Sequence, residues 1–329
     1  MNRTATKFLA QYRMAVATAS DAENTNAQFA IAPPIETKLR QAITFSDAFL
    51  SMISVLAVDQ IAGQVVDVGV GKLLTGRGDG TRFRAELSND GNTYSLVETD
   101  SCGVIKWGTL TQWANSGSAG EFIKLMNAAI TRSFALDMLR VGFNGTSAAT
   151  VTDPVANPLG EDINKGWLQV VKDKAAAQVL AAADLDPTGT VVDSYKNLDS
   201  LVQDLVNTTI HEAHRQSPDL VVLVGGDLVA AEQHRLLEAA STPTEHKAAQ
   251  TLAKTIAGKT AYTPPFFPPT AVWVTTLKTL QILQQKGTQW RKVANSEDRK
   301  QVENSFLRAE GYAVGDFNKF AAIETVTIA

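Results

Sequence analysis

Helical spacing of apolar positions dominates the start of the chain. Phe8, Tyr12 and Val16 recur at i, i+4 and i+8, with Arg3, Lys7 and Arg13 as the charged residues, which predicts a short amphipathic helix over residues 1–19. The next stretch, SDAENTNAQFA at 20–30, is polar and reads as a loose linker. Pro33-Pro34 then opens a second helical pattern carried by Ile35, Leu39, Ala42 and Ile43, and proline suits a first helical turn. On this reading residues 1–29 form an appendage, and the body folds without them.

Period two takes over from about residue 64. Val66, Val68 and Val70 share one face, residues 76–80 and 88–92 are turn clusters, and Asp90-Gly91 is a hairpin signal. Arg82 to Leu87 alternates again, and Tyr94 to Trp107 resumes the strand pattern. This excursion has too little apolar content for a core of its own, so it must lie on the body or on a neighbour. A long helix follows. Ser118 and Glu121 fit a capping box, and Phe122, Met126, Ile130, Phe134 and Met138 run at i+4 spacing until Gly142 and Asn144-Gly145. Its length is roughly 33 Å at 1.5 Å per residue.

The remainder mixes helices and strands. Prolines mark a loop over 151–158. Residues 161–183 are Ala-rich and read as helix, as do 197–215, with Leu198, Leu201, Val202 and Leu205 inward. Asp219 to Gly225 is a buried-strand run, and Asp227 caps a helix to about Ala240. Thr242 and Glu245 form a second capping box, for a helix ending at Gly258. A proline-rich loop over Thr263–Pro269 presents Phe266 and Phe267 to something apolar. Strands are expected at Ala271–Thr276, Thr279–Gln284, Gln289–Val293, 302–308, 311–315 and 319–328. The class is α+β, with a C-terminal strand returning to the region of the long helix. No internal repeat interrupts the order.

Composition narrows the function. The 329 residues suggest about two compact units. Charged residues are 19% of the chain, against ~25% in typical soluble chains, so the surface is either neutral or covered by partners. The net charge is −4, and the absence of a basic run argues against a dedicated nucleic-acid binder. A single cysteine, Cys102, excludes an internal disulfide framework and a multi-cysteine metal site, and suits a reducing cytosol. No signal-peptide core or membrane span is expected, so no membrane role is assigned and folding is expected in the cytoplasm.

The candidate chemistry is thin. His211-Glu-Ala-His214 has i+3 spacing, whereas the zinc-protease motif needs i+4. Gly69-Val-Gly71-Lys72 lacks both the first glycine and the final Ser/Thr of a phosphate loop. Gly225-Gly226 follows a strand, but the dinucleotide fingerprint is missing and Asp227 would repel phosphate. Arg77-Gly78-Asp79 is a turn in a Gly-rich stretch. Cys102 falls in a strand pattern without a nearby histidine and is expected to be buried or half-buried. No catalytic, cofactor or metal residue is nominated. What remains is an arm, a coreless β excursion, a long strut and few charges, a combination that favours self-assembly over catalysis.

Particular strings carry a resemblance. Leu136-Asp137-Met138 leads to Gly142-Phe143-Asn144-Gly145, then to Asn157-Pro158-Leu159 and Lys165-Gly166-Trp167-Leu168-Gln169. Pro218-Asp219-Leu220-Val221-Val222, Val302-Glu303-Asn304 and Gly311-Tyr312-Ala313-Val314 follow in order. With Lys7-Phe8 and Tyr12 near the start, the chain resembles the major capsid proteins of P2-like tailed phages from near residue 5 to its end. The resemblance implies an HK97-type α+β fold. Residues 1–30 would be an N-terminal segment removed on maturation, 31–60 an N-arm, and 61–108 an extended β loop. Residues 109–144 would hold the spine helix and peripheral domain, 145–295 the axial domain and its connections, and 296–329 the C-terminal strands returning to the peripheral domain. It also implies a shell of hexamers and pentamers around double-stranded DNA, held by weak non-specific contact. A scaffold, a maturation protease and a portal are the implied partners, with the maturation cut near Phe29-Ala30. The alternatives are an encapsulin-like nanocompartment shell protein or a small cytosolic α/β enzyme built on the turn after residues 219–224.

Overall fold

A computed structural model describes residues 1–65, 75–77, 92–115, 117–239 and 254–328. The period-two runs at 66–74 and 78–91 and the second capping box at 242–245 lie outside the described residues. The chain divides into two compact units. The first comprises Met1–Ala62, Ser95–Leu139 and Ile282–Gly311, and the second Gly63–Tyr94, Arg140–Gln281 and Tyr312–Ala329.

The first unit begins with helix α1 (Arg3–Ser20), whose Asn2 side chain accepts from the Ala5 N–H. Strand β1 (Phe29–Ala30) and helix α2 (Pro33–Thr44) follow, with proline in the first turn of α2 as expected. Strands β2 (Ser54–Val58) and β5 (Val97–Lys106) come next in this unit, then helices α3 (Trp107–Asn115) and α4 (Ala119–Asn144), the last residues of which belong to the second unit. Strands β11 (Leu280–Gln285), β12 (Trp290–Ser296) and β13 (Gln301–Val314) complete a six-stranded sheet. Its order is β1-β12-β13-β11-β2, with β5 also paired to β13. The two separate strands expected at 302–308 and 311–315 are the single strand β13. A two-stranded ribbon, β3 (Ala62–Gln64) with β4 (Thr93–Ser95), brackets the excursion.

Two local predictions hold in α4. The Glu121 carboxylate accepts from the Ser118 N–H at 2.6 Å while Ser118 Oγ receives the Glu121 N–H, which is the capping box. Met126, Ile130, Phe134 and Met138 are buried in one row. Gly103 on β5 lets the sheet approach this row, because a Cβ there would sit 2.5 Å from Ile130 Cδ1.

The N-terminus corrects the sequence reading. Ala5, Leu9, Tyr12 and Val16 are buried with Leu110, Phe122, Met126, Val293 and Val302, so α1 is part of the core of the first unit and not an appendage. The link is anchored too: the Val293 N–H donates to the Thr25 carbonyl, and Phe29 and Ala30 pair with Arg291 and Trp290. Polar composition marked a loose linker, yet its backbone groups find sheet partners.

The second unit holds another six-stranded sheet. Its strands are β6 (Val179–Leu185), β7 (Leu220–Val224), β8 (Thr255–Ile256), β9 (Lys259–Tyr262), β10 (Val272–Thr276) and β14 (Ala321–Ile328), in the order β6-β14-β10-β7-β9-β8. Helices α5 (Trp167–Lys174), α6 (Leu198–Thr209) and α7 (Gly226–Ala239) accompany it. All five residues of β7 and of β10 are buried, as a continuous apolar run requires when both faces are covered. Leu198, Leu201, Val202 and Leu205 of α6 cluster with Val222, Val224, Val272 and Val274. Trp273 instead joins Phe143, Phe267 and Phe320, with ring centroids 5.0–5.6 Å apart. Phe267 is therefore satisfied within its own unit.

Four expectations fail here. The helix expected to end at Gly258 cannot reach it, because Thr255–Ile256 is strand and Gly258 sits in the turn of the β8–β9 hairpin. The Ala-rich stretch read as helix to residue 183 is α-helical only over Trp167–Lys174, with a short 3-10 turn at Ala176–Gln178; Val179–Leu185 is strand, paired in parallel with 322–328. The helix expected over 197–215 stops at Thr209. Finally, β13 returns to the long-helix region as the residue pattern suggested, but the remaining C-terminal strand does not follow it as the resemblance implied. After Gly315 the chain turns through Asp316–Lys319, and β14 inserts between β6 and β10.

Candidate functional site

The nominated chemistry does not converge. His211 and His214 lie beyond the end of α6 in turns, with ring centroids 6.3 Å apart, and His214 Nε2 is 3.7 Å from the Asp316 carboxylate. No group of three or more metal-ligating side chains occurs among the described residues. Gly225 serves packing: a Cβ there would lie 1.9 Å from the Pro269 carbonyl oxygen. Cys102 is exposed on β5, not buried as expected from its type, because it alternates outward from Gly103. Partial desolvation and the nearby Glu303 and Asp100 push its thiol up, away from the reactive thiolate. Lys72 and Asp79 lie outside the described residues.

A carboxylate that sequence reasoning missed is Asp186. It accepts from Thr188 N (2.8 Å) and Oγ1 (2.6 Å), Thr190 N (2.6 Å) and Oγ1 (2.9 Å), and Val191 N (2.7 Å). These bonds, led by the Thr188 hydroxyl, hold its carboxyl well below the usual range. A carboxylate so saturated is a loop anchor, not a nucleophile.

What the structure does build is ordered loops and helix surfaces that show apolar side chains to solvent. The loop after α4 is tied by Thr146 and Ser147 N–H groups to the Glu161 carbonyl, by Ala149 N–H to the Asp162 carbonyl, and by Asp153 N–H to the Asp162 carboxylate. At its tip Val151 is 85% exposed and Val155 89%. The loop anchored by Asp186 likewise exposes Val192. In the first unit Met14 and Phe45 are exposed, and an apolar groove of ≈430 Å³ runs between α2 and α4, lined by Ile35, Leu39, Ile130 and Phe134 with Lys38 and Arg291 among its polar residues. Phe29 and Ala30 sit on the edge strand β1, Phe29 half-buried and Ala30 exposed. Isolated apolar side chains on a surface are ordinary, but side chains held out on anchored loops suit contacts with other molecules.

A family model described as phage major capsid protein, P2 family, matches residues 8–326. The chain belongs to that family. The major capsid protein of Serratia phage KSP20 is 29% identical over 317 residues, covering 92% of this chain and 90% of that protein. A protein of Escherichia phage P2 described as capsid proteins is 26% identical over 331 residues, covering 96% and 92%. Among solved structures, a chain of the satellite phage P4 procapsid including size determination (Sid) protein has a TM-score of 0.78 at 24% identity, covering 100% of this chain and 99% of that one. The α+β, HK97-type capsid fold implied by the resemblance is thereby shown. As a phage major capsid protein, the chain spans nearly the full length of these relatives. No helix among the described residues is long and apolar enough to cross a membrane.

Proposed function

We propose that this major capsid protein is a non-enzymatic shell subunit that associates with itself as hexamers and pentamers to tile an icosahedral shell around double-stranded DNA. The family match over residues 8–326 carries this reading. The exposed apolar side chains on anchored loops and the low charged fraction support it, because contacts between copies remove such surface from water. Assembly takes place in the host cytoplasm, with a scaffold, a maturation protease and a portal as partners. DNA is held by weak phosphate contact.

The proposed division of labour follows the ranges read from the sequence. Residues 31–60 act as the N-arm, 61–108 as the extended loop, 109–144 as spine and peripheral domain, 145–295 as axial domain and its connections, and 296–329 as the C-terminal strands, of which β13 closes the peripheral sheet while β14 joins the axial one. The maturation cut falls at Phe29-Ala30. Since α1 is packed through Leu9, Tyr12 and Val16, a cut at that bond leaves the helix seated by its own contacts. The test is size-exclusion chromatography and electron microscopy of the expressed chain, with and without its scaffold. Closed particles and capsomer-sized rings are expected. A strictly monomeric chain at high concentration with the scaffold present overturns the proposal.

A further inference from the structure

A polar pocket of ≈300 Å³ opens in the second unit among α6, the segment linking α6 to β7, and the β8–β9 hairpin. Pockets for drug-like ligands are mostly apolar at ~300–1,000 Å³. This one is lined by amides, hydroxyls and two cations, Arg215 and Lys259, and no Asp or Glu stands among its lining residues. Both cations are half-buried. Arg215 Nε donates to the Ile210 carbonyl at 3.0 Å, which fixes the guanidinium plane at the end of α6. Lys259 Nζ donates to the Arg215 carbonyl at 3.3 Å, which holds the ammonium beside the same residue. Among the described residues, no ion pair involves either cation. The carboxylates next to the pocket are already engaged: Asp199 accepts the N–H of the lining residue Ala257 at 2.6 Å, Asp219 accepts the hydroxyl of the lining residue Ser217, and Asp204 of α6 accepts the Tyr195 hydroxyl at 2.5 Å.

Two half-buried positive charges lining one pocket without a carboxylate among its walls repel each other, and Nε is the guanidinium nitrogen held by the Ile210 carbonyl, so the fork is oriented while its charge is not balanced within the pocket. An anion answers both. Donors on three walls, including Asn207, Gln216 and Thr260, suit a tetrahedral group with several oxygens better than a planar carboxylate, which one guanidinium fork satisfies. We propose that this pocket binds a phosphate group, with Arg215 supplying a bidentate contact and Lys259 a point charge. The group comes either from free phosphate or from the backbone of duplex DNA. The second source rests on the shell reading above, and the first does not.

The test melts the full chain in phosphate and in chloride at equal ionic strength. The expected result is a phosphate-specific rise of about 3 °C or more. Arg215→Gln and Lys259→Gln should each abolish that rise while leaving the melting point in chloride within about 2 °C, as substitutions at a surface pocket usually do. Phosphorus NMR line broadening on titration into the unaltered chain gives a reading that does not depend on how the variants fold. Equal melting in the two salts without line broadening overturns the proposal, as does an undiminished rise in both variants. A duplex oligonucleotide followed by fluorescence anisotropy separates the sources. A salt dependence reduced by about one for each cation removed assigns the site to DNA. An unchanged slope, with phosphate binding lost, supports the pocket and assigns it to free phosphate. Because shell formation is read separately by electron microscopy, failure of either reading is distinguishable.

Discussion

Arg308 and Glu310 stand two residues apart on β13 and so share a face of the sheet, each only 2–3% exposed. Arg308 Nε donates to Glu310 Oε2 at 2.6 Å, Gln284 Nε2 donates to the same oxygen at 2.9 Å, and Arg308 Nη1 reaches Ser101 Oγ at 2.9 Å. A buried pair of this kind contributes little net stability, because attraction is offset by desolvation, but breaking it strands a charge. Arg308→Leu should therefore lower unfolding free energy by about 3–5 kcal/mol, and Arg308→Leu with Glu310→Leu should recover most of the loss. Urea unfolding of both variants checks this. A single variant as stable as the parent, or a double variant no better than the single, contradicts it. At this scale the sequence was partly legible: Ser118 and Glu121 declared their capping box because the partners are three residues apart. Arg308 did not declare its burial, since Ser101 lies about two hundred positions away. Cys102 misled, because residue type favours burial while its place on β5 dictates exposure.

Helix α1 shows what an element's own pattern can and cannot reveal. The i, i+4, i+8 spacing of Phe8, Tyr12 and Val16 gave its existence and its bounds to within a residue or two. Its docking partners, Leu110, Phe122, Val293 and Val302, come from four distant stretches, and no local pattern encodes them. The same limit explains β6: alanine has no preference between faces, and the strand owes its conformation to parallel pairing with residues 322–328. Deletion of residues 1–29 is consequently costly. Leu9 and Val16 alone account for ~1.5–3 kcal/mol each of apolar burial. The Tyr12 hydroxyl, which accepts from Asn304 Nδ2 at 2.9 Å, leaves that buried amide unpaired when lost. The deleted chain should melt about 10 °C or more below the parent, and bind an apolar dye. A chain cut at Phe29-Ala30 but not deleted should melt within a few degrees of the parent, because α1 stays in place. Calorimetry on the two forms distinguishes a packed helix from a dispensable tail. Equal melting of the deleted form returns α1 to the status of an appendage.

For the molecule as a whole, the functional surface is the least legible part, because its partner residues lie on other copies. The sequence showed few charges and a coreless excursion, and from these an unmet need for neighbours; which apolar side chains stand exposed came only with the structure. Val155 is 89% exposed at the tip of a loop pinned by Asp162 and Asp153, and Phe45 is 72% exposed just after α2. Neither helps to hold its own unit together, so polar replacement should change folding stability by no more than about 0.5 kcal/mol. If such residues are buried between copies in the shell, each replacement forfeits that burial at every repeat of a symmetric contact. Val155→Ser and Phe45→Ser are thus expected to melt as the parent does while raising the protein concentration needed for assembly roughly tenfold or more, as a loss of ~1.5–3 kcal/mol per contact implies. Light scattering against concentration measures that threshold, and calorimetry confirms the fold. Should both variants assemble at the parent's threshold, the apolar tips are ordinary surface and the contacts between copies lie elsewhere. Should they lose stability as well, the residues belong to the core of their own unit, which their exposure denies. The discriminating result is the separation of the two measurements: a subunit that folds unchanged yet assembles poorly has lost its neighbours and nothing else.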